Sequence, residues 1–345
     1  MIYRRLGRTG TKVSELCLGT MTFGREVDET GAASLVRRFV EAGGNFIDTA
    51  DVYQRGVSES FVGSAIKACG VSRDELVIAT KVFGPMTDAA ESGTADWNNL
   101  GLSRKHVMTA CDGSLERLGV DYIELYQVHL WDAGTPLEET LSALDDLVHS
   151  GKVRYLGCSN FTAWQIIKAL WVSDAHGFER FVCVQPQYSL VERNIEAELL
   201  PASRAEGLGV LAWSPLGGGF LSGKFRRDEA PPEGSRIAGA PPEADESWDR
   251  RATDANWGLL DIVAAVGEET GRSPAQVALN WVLRQPGVVA PIIGVRSLAQ
   301  LEDNLGATDW ALDSDQLERL SAASDPGAVY PARVIDLATQ SYGRA

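Results

Sequence analysis

The chain has 345 residues, of which 44% are hydrophobic and 23% charged, with a net charge of −15 and a pI of about 4.8. That balance suits a globular protein with a sizeable core and excludes nucleic acid or an anionic membrane as a main partner, because both repel it. It leaves room for one anionic ligand in a local basic pocket.

The opening "MIYRRLGRTG" lacks the apolar core of a signal peptide, and no apolar run is long enough to span a bilayer. A cytoplasmic protein is expected. Five cysteines lie far apart without a C-x-x-C, and Cys17, Cys158 and Cys183 fall inside apolar runs, so buried reduced thiols are expected. The four histidines have no ligand spacing among themselves or with cysteine, so no metal site is expected.

In chain order, "YRRLGRTGTKVSEL" reads first as a hairpin turning at Gly10. Strand-like runs follow: "ELCLG", "NFIDT", "LVIATK", "YIELYQVH", "YLGCS", "FVCVQ", "GVLAWS" and "VVAPIIG". Amphipathic segments separate them. Ser58 is read as the cap of the helix after "NFIDT", and Ser103 as the cap of "RKHVMTACDGSLERL". Pro136 stands near a helix start with Gly151 past its end. Ser273 and Pro274 open another helix, with Gly287 beyond it.

Eight near-continuous apolar strands, each followed by a helical pattern, indicate a parallel sheet buried on both faces. An open doubly wound sheet would want a glycine-rich turn after its first strand, and "CLGTMTFG" has no G-x-G-x-x-G. The expected fold is therefore an α/β protein, a (β/α)8 TIM barrel with its N-terminal β-hairpin capping the bottom, in one domain over residues 1–345. Two loops, 84–101 and 226–247, are long enough to be lids or clamps.

Barrel enzymes carry their reacting groups where strands end. Here those ends offer Asp48 with Tyr53 in the following loop, Lys81, His129, Ser159 with Asn160, Gln185, Trp213 within "WSPLGGG", and Arg296 after "IIG". Each has a plain alternative: an ion pair, a rim histidine, a packed ring. Together, Asp48, Tyr53, Lys81 and His129 come from successive strands and suggest proton transfer to a carbonyl oxygen. A free phenol titrates near 10, and a neighbouring ammonium favours its phenolate, so Lys81 is expected to lower the Tyr53 pKa. His129 can donate a hydrogen bond to the same oxygen. None of these residues can supply a hydride, so a nicotinamide cofactor is needed. Ser159, Asn160 and Gln185 suit its carboxamide, Trp213 its ring, the "SPLGGG" backbone a pyrophosphate, and Arg296 at a helix start an anion.

The motifs "GGNFIDTADVY", "ATK", "YQVH", "GCSNF", "VQPQYSL", "WSPLGGGFLSGK" and "GVRSLAQLEDN" together resemble the aldo-keto reductase superfamily over nearly the whole chain. The likeness is to the branch of potassium-channel beta subunits and bacterial aldehyde or aryl-alcohol reductases. It implies a barrel binding NADP(H) without a Rossmann domain, a tetrad of Asp48, Tyr53, Lys81 and His129, and Tyr53 as proton donor. It also implies cofactor contacts at Thr20, Met21, Asp48, Ser159, Asn160, Gln185, Trp213, Ser214, Pro215, Leu216, Gly217, Lys224, Arg236, Gly294, Arg296, Gln300 and Asn304. The stretch Ser235–Arg236 would make loop 226–247 a clamp. The phosphate segment departs from vertebrate-type aldose reductases, with Arg296, Ser297 and Gln300 where those have Lys-Ser and then Arg, so the preference for NADP(H) over NAD(H) is less decisive.

The leading expectation is an NADPH-dependent reductase of a small carbonyl compound. The alternatives are a reductase of a nucleotide-linked deoxy keto-sugar and a non-catalytic NADP-binding regulatory subunit. Channel beta subunits carry Asn where this chain has His129. An aldolase using Lys81 as a Schiff base would leave Trp213, the glycine run and Arg296 without a purpose. Phe23, Phe83, Trp97 and Trp131, with Met86 and the tail "PGAVYPARVIDLATQSYG", are the candidate substrate walls. No repeat decides the oligomeric state, and a homo-oligomer stays open.

Overall fold

The computed structural model describes residues 1–244 and 246–342. Its strands are β1 (Tyr3–Arg5), β2 (Lys12–Ser14), β3 (Cys17–Gly19), β4 (Phe46–Asp48), β5 (Val77–Val82), β6 (Ile123–Val128), β7 (Val153–Ser159), β8 (Phe181–Gln185), β9 (Gly209–Ala212) and β10 (Val288–Gly294). Strands β3 to β10 pair in parallel in chain order, and β10 closes on β3. This is the (β/α)8 barrel that the alternation of apolar runs and amphipathic segments predicted.

Successive strand residues point to opposite faces. One set faces the barrel axis: Cys17, Phe46, Val77, Ala79, Leu125, Cys183, Leu211 and Ala290 form one buried cluster. The other set faces the helices, where Leu18, Ile47, Ile78, Tyr126, Val184 and Val210 join the larger outer core.

The antiparallel hairpin β1–β2 closes the barrel from below. Leu6 and Val13 are fully buried and belong to the inner cluster. Each such burial contributes about 1.5–3 kcal/mol. The turn's left-handed glycine is Gly7 (φ 57°), not Gly10. A Cβ on Gly7 would come within 2.2 Å of the Val182 carbonyl oxygen, so the turn lies directly on the barrel floor.

Helix starts follow local chemistry. Ser103 accepts from the His106 amide and caps Arg104–Leu118. Ser273 accepts from the Gln276 amide in a capping box with Pro274 as first helical residue. Pro136 precedes Leu137–His149. Ser58 does not cap its helix, which runs Val57–Ala68 after a left-handed Gly56. Its hydroxyl is buried instead, donating to the Thr20 carbonyl at 2.8 Å and lying 2.9 Å from the hydroxyls of both Thr20 and Thr49. Ser58 thus ties the helix to the ends of β3 and β4.

Loop 84–101 holds one short helix, Asp88–Glu91. Loop 226–247 holds no regular element among its described residues; position 245 lies outside them. The tail forms the helix Ala332–Ser341, with Val334, Ile335 and Leu337 exposed; Gly343 lies outside the described residues. Among the described residues, no helix is long and apolar enough to cross a membrane.

Candidate active site

A cleft of about 610 Å³ opens at the C-terminal ends of the strands. It is lined by Asp48, Tyr53 and His129, and by Thr20, Met21, Ser159, Asn160, Gln185, Trp213, Ser214, Pro215, Leu216, Lys224, Arg236, Gly294, Arg296, Gln300 and Asn304. Gly217 does not line it. That residue is left-handed (φ 57°), and a Cβ there would meet the Val191 side chain at 2.5 Å, so it packs away from the opening. Lys81 lies just behind the surface, fully buried.

Asp48 closes β4, and Lys81 stands in β5 one strand away. The Lys81 ammonium donates to Asp48 Oδ2 at 2.5 Å, to the Thr49 carbonyl at 2.8 Å and, more weakly, to Tyr53 Oη at 3.4 Å. The other carboxylate oxygen, Asp48 Oδ1, accepts from Gln127 Nε2 at 3.0 Å and Gln185 Nε2 at 2.9 Å. Both charges are thus paired and their remaining sites filled, as a buried ion pair requires. Burial works against the Lys81 charge, but Asp48 and then Tyr53 outweigh it and raise the ammonium's pKa.

Tyr53 reaches the cleft on a tight turn, Tyr53–Gly56, in which Gln54 (φ 48°) and Arg55 (φ 51°) are both left-handed. Ion pairs hold that turn, because Arg55 bonds Glu91 at 2.8 Å and Asp88 beside it. The rings of Tyr53 and His129 meet edge to face at 5.9 Å. The Tyr53 pKa is raised, not lowered as the sequence suggested. Burial favours the neutral phenol more than the Lys81 charge favours the phenolate. Burial, followed by the Lys81 charge, pushes His129 down to about 3, so its ring is neutral across physiological pH.

Around the rim, Ser159 Oγ donates to the Gln185 carbonyl at 2.7 Å. Asn160 is left-handed (φ 55°); its amide donates to the His129 carbonyl at 3.1 Å, and its Oδ1 accepts from Trp213 Nε1 at 3.0 Å. Ser214, also left-handed, accepts from the Gly218 amide at 2.9 Å. Arg236 pairs with Glu246 at 2.6 Å. The Arg296 amide donates to Gln300 Oε1 at 2.8 Å, and its guanidinium to the Gly234 carbonyl at 2.7 Å. Loop 226–247 therefore reaches the cleft at both Gly234 and Arg236.

None of the four candidate substrate residues lines this cleft. Phe23 is fully buried in the outer core, beside Val27 in a turn that begins at Thr20. Phe83 packs half-buried against that core. Trp97 is 67% exposed. Trp131 stands edge-on to Phe161 at 5.2 Å and to Trp164 at 5.5 Å. Gln127 and Arg25 belong to the site or its rim and were not singled out from the sequence. Gln127 had a signal, since it is two residues before His129 in a strand-like run and so shares its face.

Asp51, also not singled out, is buried two residues before Tyr53. Its Oδ1 accepts from the Val52 amide at 2.6 Å, whereas Oδ2 has no partner. Burial, then the Glu59 carboxylate, pushes its pKa up to about 8. The folded chain therefore holds a proton that the unfolded chain releases above about pH 4. The stability this contributes is complete below that pH and is lost as pH rises through about 8. Asp51→Asn is expected to match the parent near pH 4 and to exceed it by several kcal/mol near pH 8, at about 1.4 kcal/mol for each pH unit between the two pKa values. Thermal melts at the two pH values check this; an equal gap at both would contradict it.

The cleft thus sets a buried Lys–Asp pair, a phenol and an imidazole together at the C-terminal rim of a closed parallel barrel. The chain belongs to the aldo/keto reductase family, whose model matches residues 15–325. It is similar to an uncharacterized oxidoreductase, YrpG, of Bacillus subtilis (strain 168), 41% identical over 93% of this chain and 95% of the relative. It is also similar to a probable voltage-gated potassium channel subunit beta of Arabidopsis thaliana, 34% identical over 90% and 92%. Versiconal hemiacetal acetate reductase of Aspergillus parasiticus is 31% identical over 96% and 99%.

Proposed function

We propose that the chain is an NADPH-dependent reductase that turns an aldehyde or ketone into an alcohol, with Tyr53 as proton donor. The observation that carries this reading is the phenol of Tyr53 on the cleft wall, 3.4 Å from an ammonium that Asp48 holds at 2.5 Å. Such a group is a neutral acid whose conjugate base has a cation beside it, which is what protonating a developing alkoxide needs. The neutral His129 can donate a hydrogen bond to the same oxygen and orient it.

The cleft's chemistry fits a dinucleotide. One end offers amide and hydroxyl groups, the middle an indole and glycine backbone, and the other end cations. Its volume lies within the usual range for ligand sites, about 300–1,000 Å³. Ser159, Asn160 and Gln185 would hold the carboxamide and Trp213 the ring. Thr20 and Met21 would border the ring, and Ser214 to Leu216, Gly218, Gly219, Lys224 and Arg236 the pyrophosphate. Gly294, Arg296, Gln300 and Asn304 would take the adenosine end. A bound nicotinamide would supply the hydride. The reductase-named relative of Aspergillus parasiticus supports carbonyl reduction.

Mixing with NADPH should change its fluorescence, and adding members of a panel of aldehydes, ketones and keto-sugars should make its absorbance fall. Binding without turnover of any member would favour a regulatory subunit, as the name of the Arabidopsis relative, a probable channel subunit, suggests. Arg296→Ala should raise the Kd for NADPH by about tenfold and that for NADH far less. An equal loss would remove Arg296 from 2′-phosphate recognition.

A further inference from the structure

One charged group at the adenosine end has no part in that reading. Glu26 lies in the loop between β3 and the helix Glu29–Glu41, wedged between two guanidinium groups. Its Oε2 accepts from Arg25 Nε at 2.8 Å, and its Oε1 from Arg25 Nη2 at 2.5 Å. The same Oε1 stands 3.5 Å from Arg296 Nη2. Arg25 and Arg296 both line the cleft, as does Lys224. Among the described residues Lys224 makes no ion pair. Its pKa is lowered by burial and then by the charge of Arg296, so the two cations share one field. Burial works against the Glu26 charge, but Arg25 and Arg296 outweigh it and hold the carboxyl below its usual range. Two guanidinium groups thus meet here within the field of Lys224, and one ionised carboxylate already sits between them.

We infer that Glu26 is a specificity-determining residue: it sets how strongly this site prefers a phosphorylated over an unphosphorylated adenosine ribose. The inference rests on the cofactor reading above. A carboxylate bonded to Arg25 and close to Arg296 occupies the donors that a phosphate dianion would seek, because both anions match the guanidinium fork. A 2′-phosphate has to displace it, and until it does the two anions repel. A free ribose hydroxyl is a hydrogen-bond donor, which leaves Glu26 in place and can bond to it. Arg296 therefore favours the phosphate while Glu26 offsets that preference. The sequence shows Arg296 but not its partner, which comes from the opposite end of the chain.

The test is the Kd of NADPH and of NADH, measured by fluorescence titration for the parent, Glu26→Gln and Arg25→Ala. Glutamine keeps the size and loses the charge, and the residue sits on a surface loop, so folding should be spared. For Glu26→Gln the ratio of NADH Kd to NADPH Kd should rise by about tenfold, through tighter NADPH with NADH unchanged or weaker. Arg25→Ala should weaken NADPH more than NADH. A Glu26→Gln ratio within about twofold of the parent's, in a parent that binds both cofactors, overturns this inference and leaves the cofactor reading standing. A parent that binds neither overturns both.

Discussion

Tyr53→Phe is expected to lower kcat for carbonyl reduction by about 10³-fold, within the range of about 10²–10⁴ for general acid catalysis, with the NADPH Kd within about twofold of the parent's. The ring stays and only Oη is lost. Lys81 gives up its longest contact, 3.4 Å, and keeps Asp48 and the Thr49 carbonyl, so the barrel rim has no reason to move. Residual turnover within about tenfold of the parent would remove Tyr53 from the role of proton donor. The pH profile gives a second readout. Burial outweighs Lys81 and lifts the phenol above its ordinary value of 10.0. The proton-bearing form then dominates at lower pH, and reduction should stay flat between about pH 6 and about pH 9. Alcohol oxidation, which needs the phenolate, should climb over the same span. His129, at about 3, adds no inflection there; an inflection near the ordinary histidine value that disappears in His129→Gln would make the imidazole the titrating acid.

Lys81→Met should have the largest effect on stability. It leaves the Asp48 carboxylate buried with two amide donors and no cation. Breaking a buried pair from one side costs about 3–5 kcal/mol, because an uncompensated charge remains. Removing both charges in Asp48→Asn/Lys81→Met should recover most of that stability, since the pair's mutual attraction largely offsets its desolvation. Turnover should not return. Chemical denaturation of the parent, both single variants and the double variant gives the coupling energy directly. Additive losses would show that Asp48 and Lys81 are not held together as one unit.

Much of this site could be read from the sequence, and for a simple reason. Strand residues alternate between faces, so the axis-facing positions of β4, β5 and β8 end on Asp48, Lys81 and Gln185 once Phe46, Val77, Ala79 and Cys183 are placed inside. The same parity carried from Leu125 reaches Gln127. It was missed because a glutamine inside a strand-like run carries no chemistry until its partner, a carboxylate from another strand, is known. Glu26 was hidden similarly, by a contact between loops 270 positions apart in the chain. The Tyr53 pKa went the other way because charge proximity is visible in a sequence and the depth of burial is not. Phe23 misled by type: an aromatic residue after a strand end looks like a pocket wall, yet the turn after Thr20 folds it into the core.

The two left-handed residues that follow Tyr53 bear on how the chain could be improved or spoiled. Non-glycine residues in that conformation each cost roughly 1–2 kcal/mol, and ion pairs from Arg55 to the short helix of the neighbouring loop hold them there. Glycine at position 54 or 55 relieves the cost, so a screen for heat resistance would retain it. The same substitution lets the phenol wander, and at position 55 it also removes the tether. Selection for hardiness and selection for turnover therefore pull in opposite directions on these two residues, and a thermostable variant that carries either glycine would be the wrong starting point for a faster catalyst.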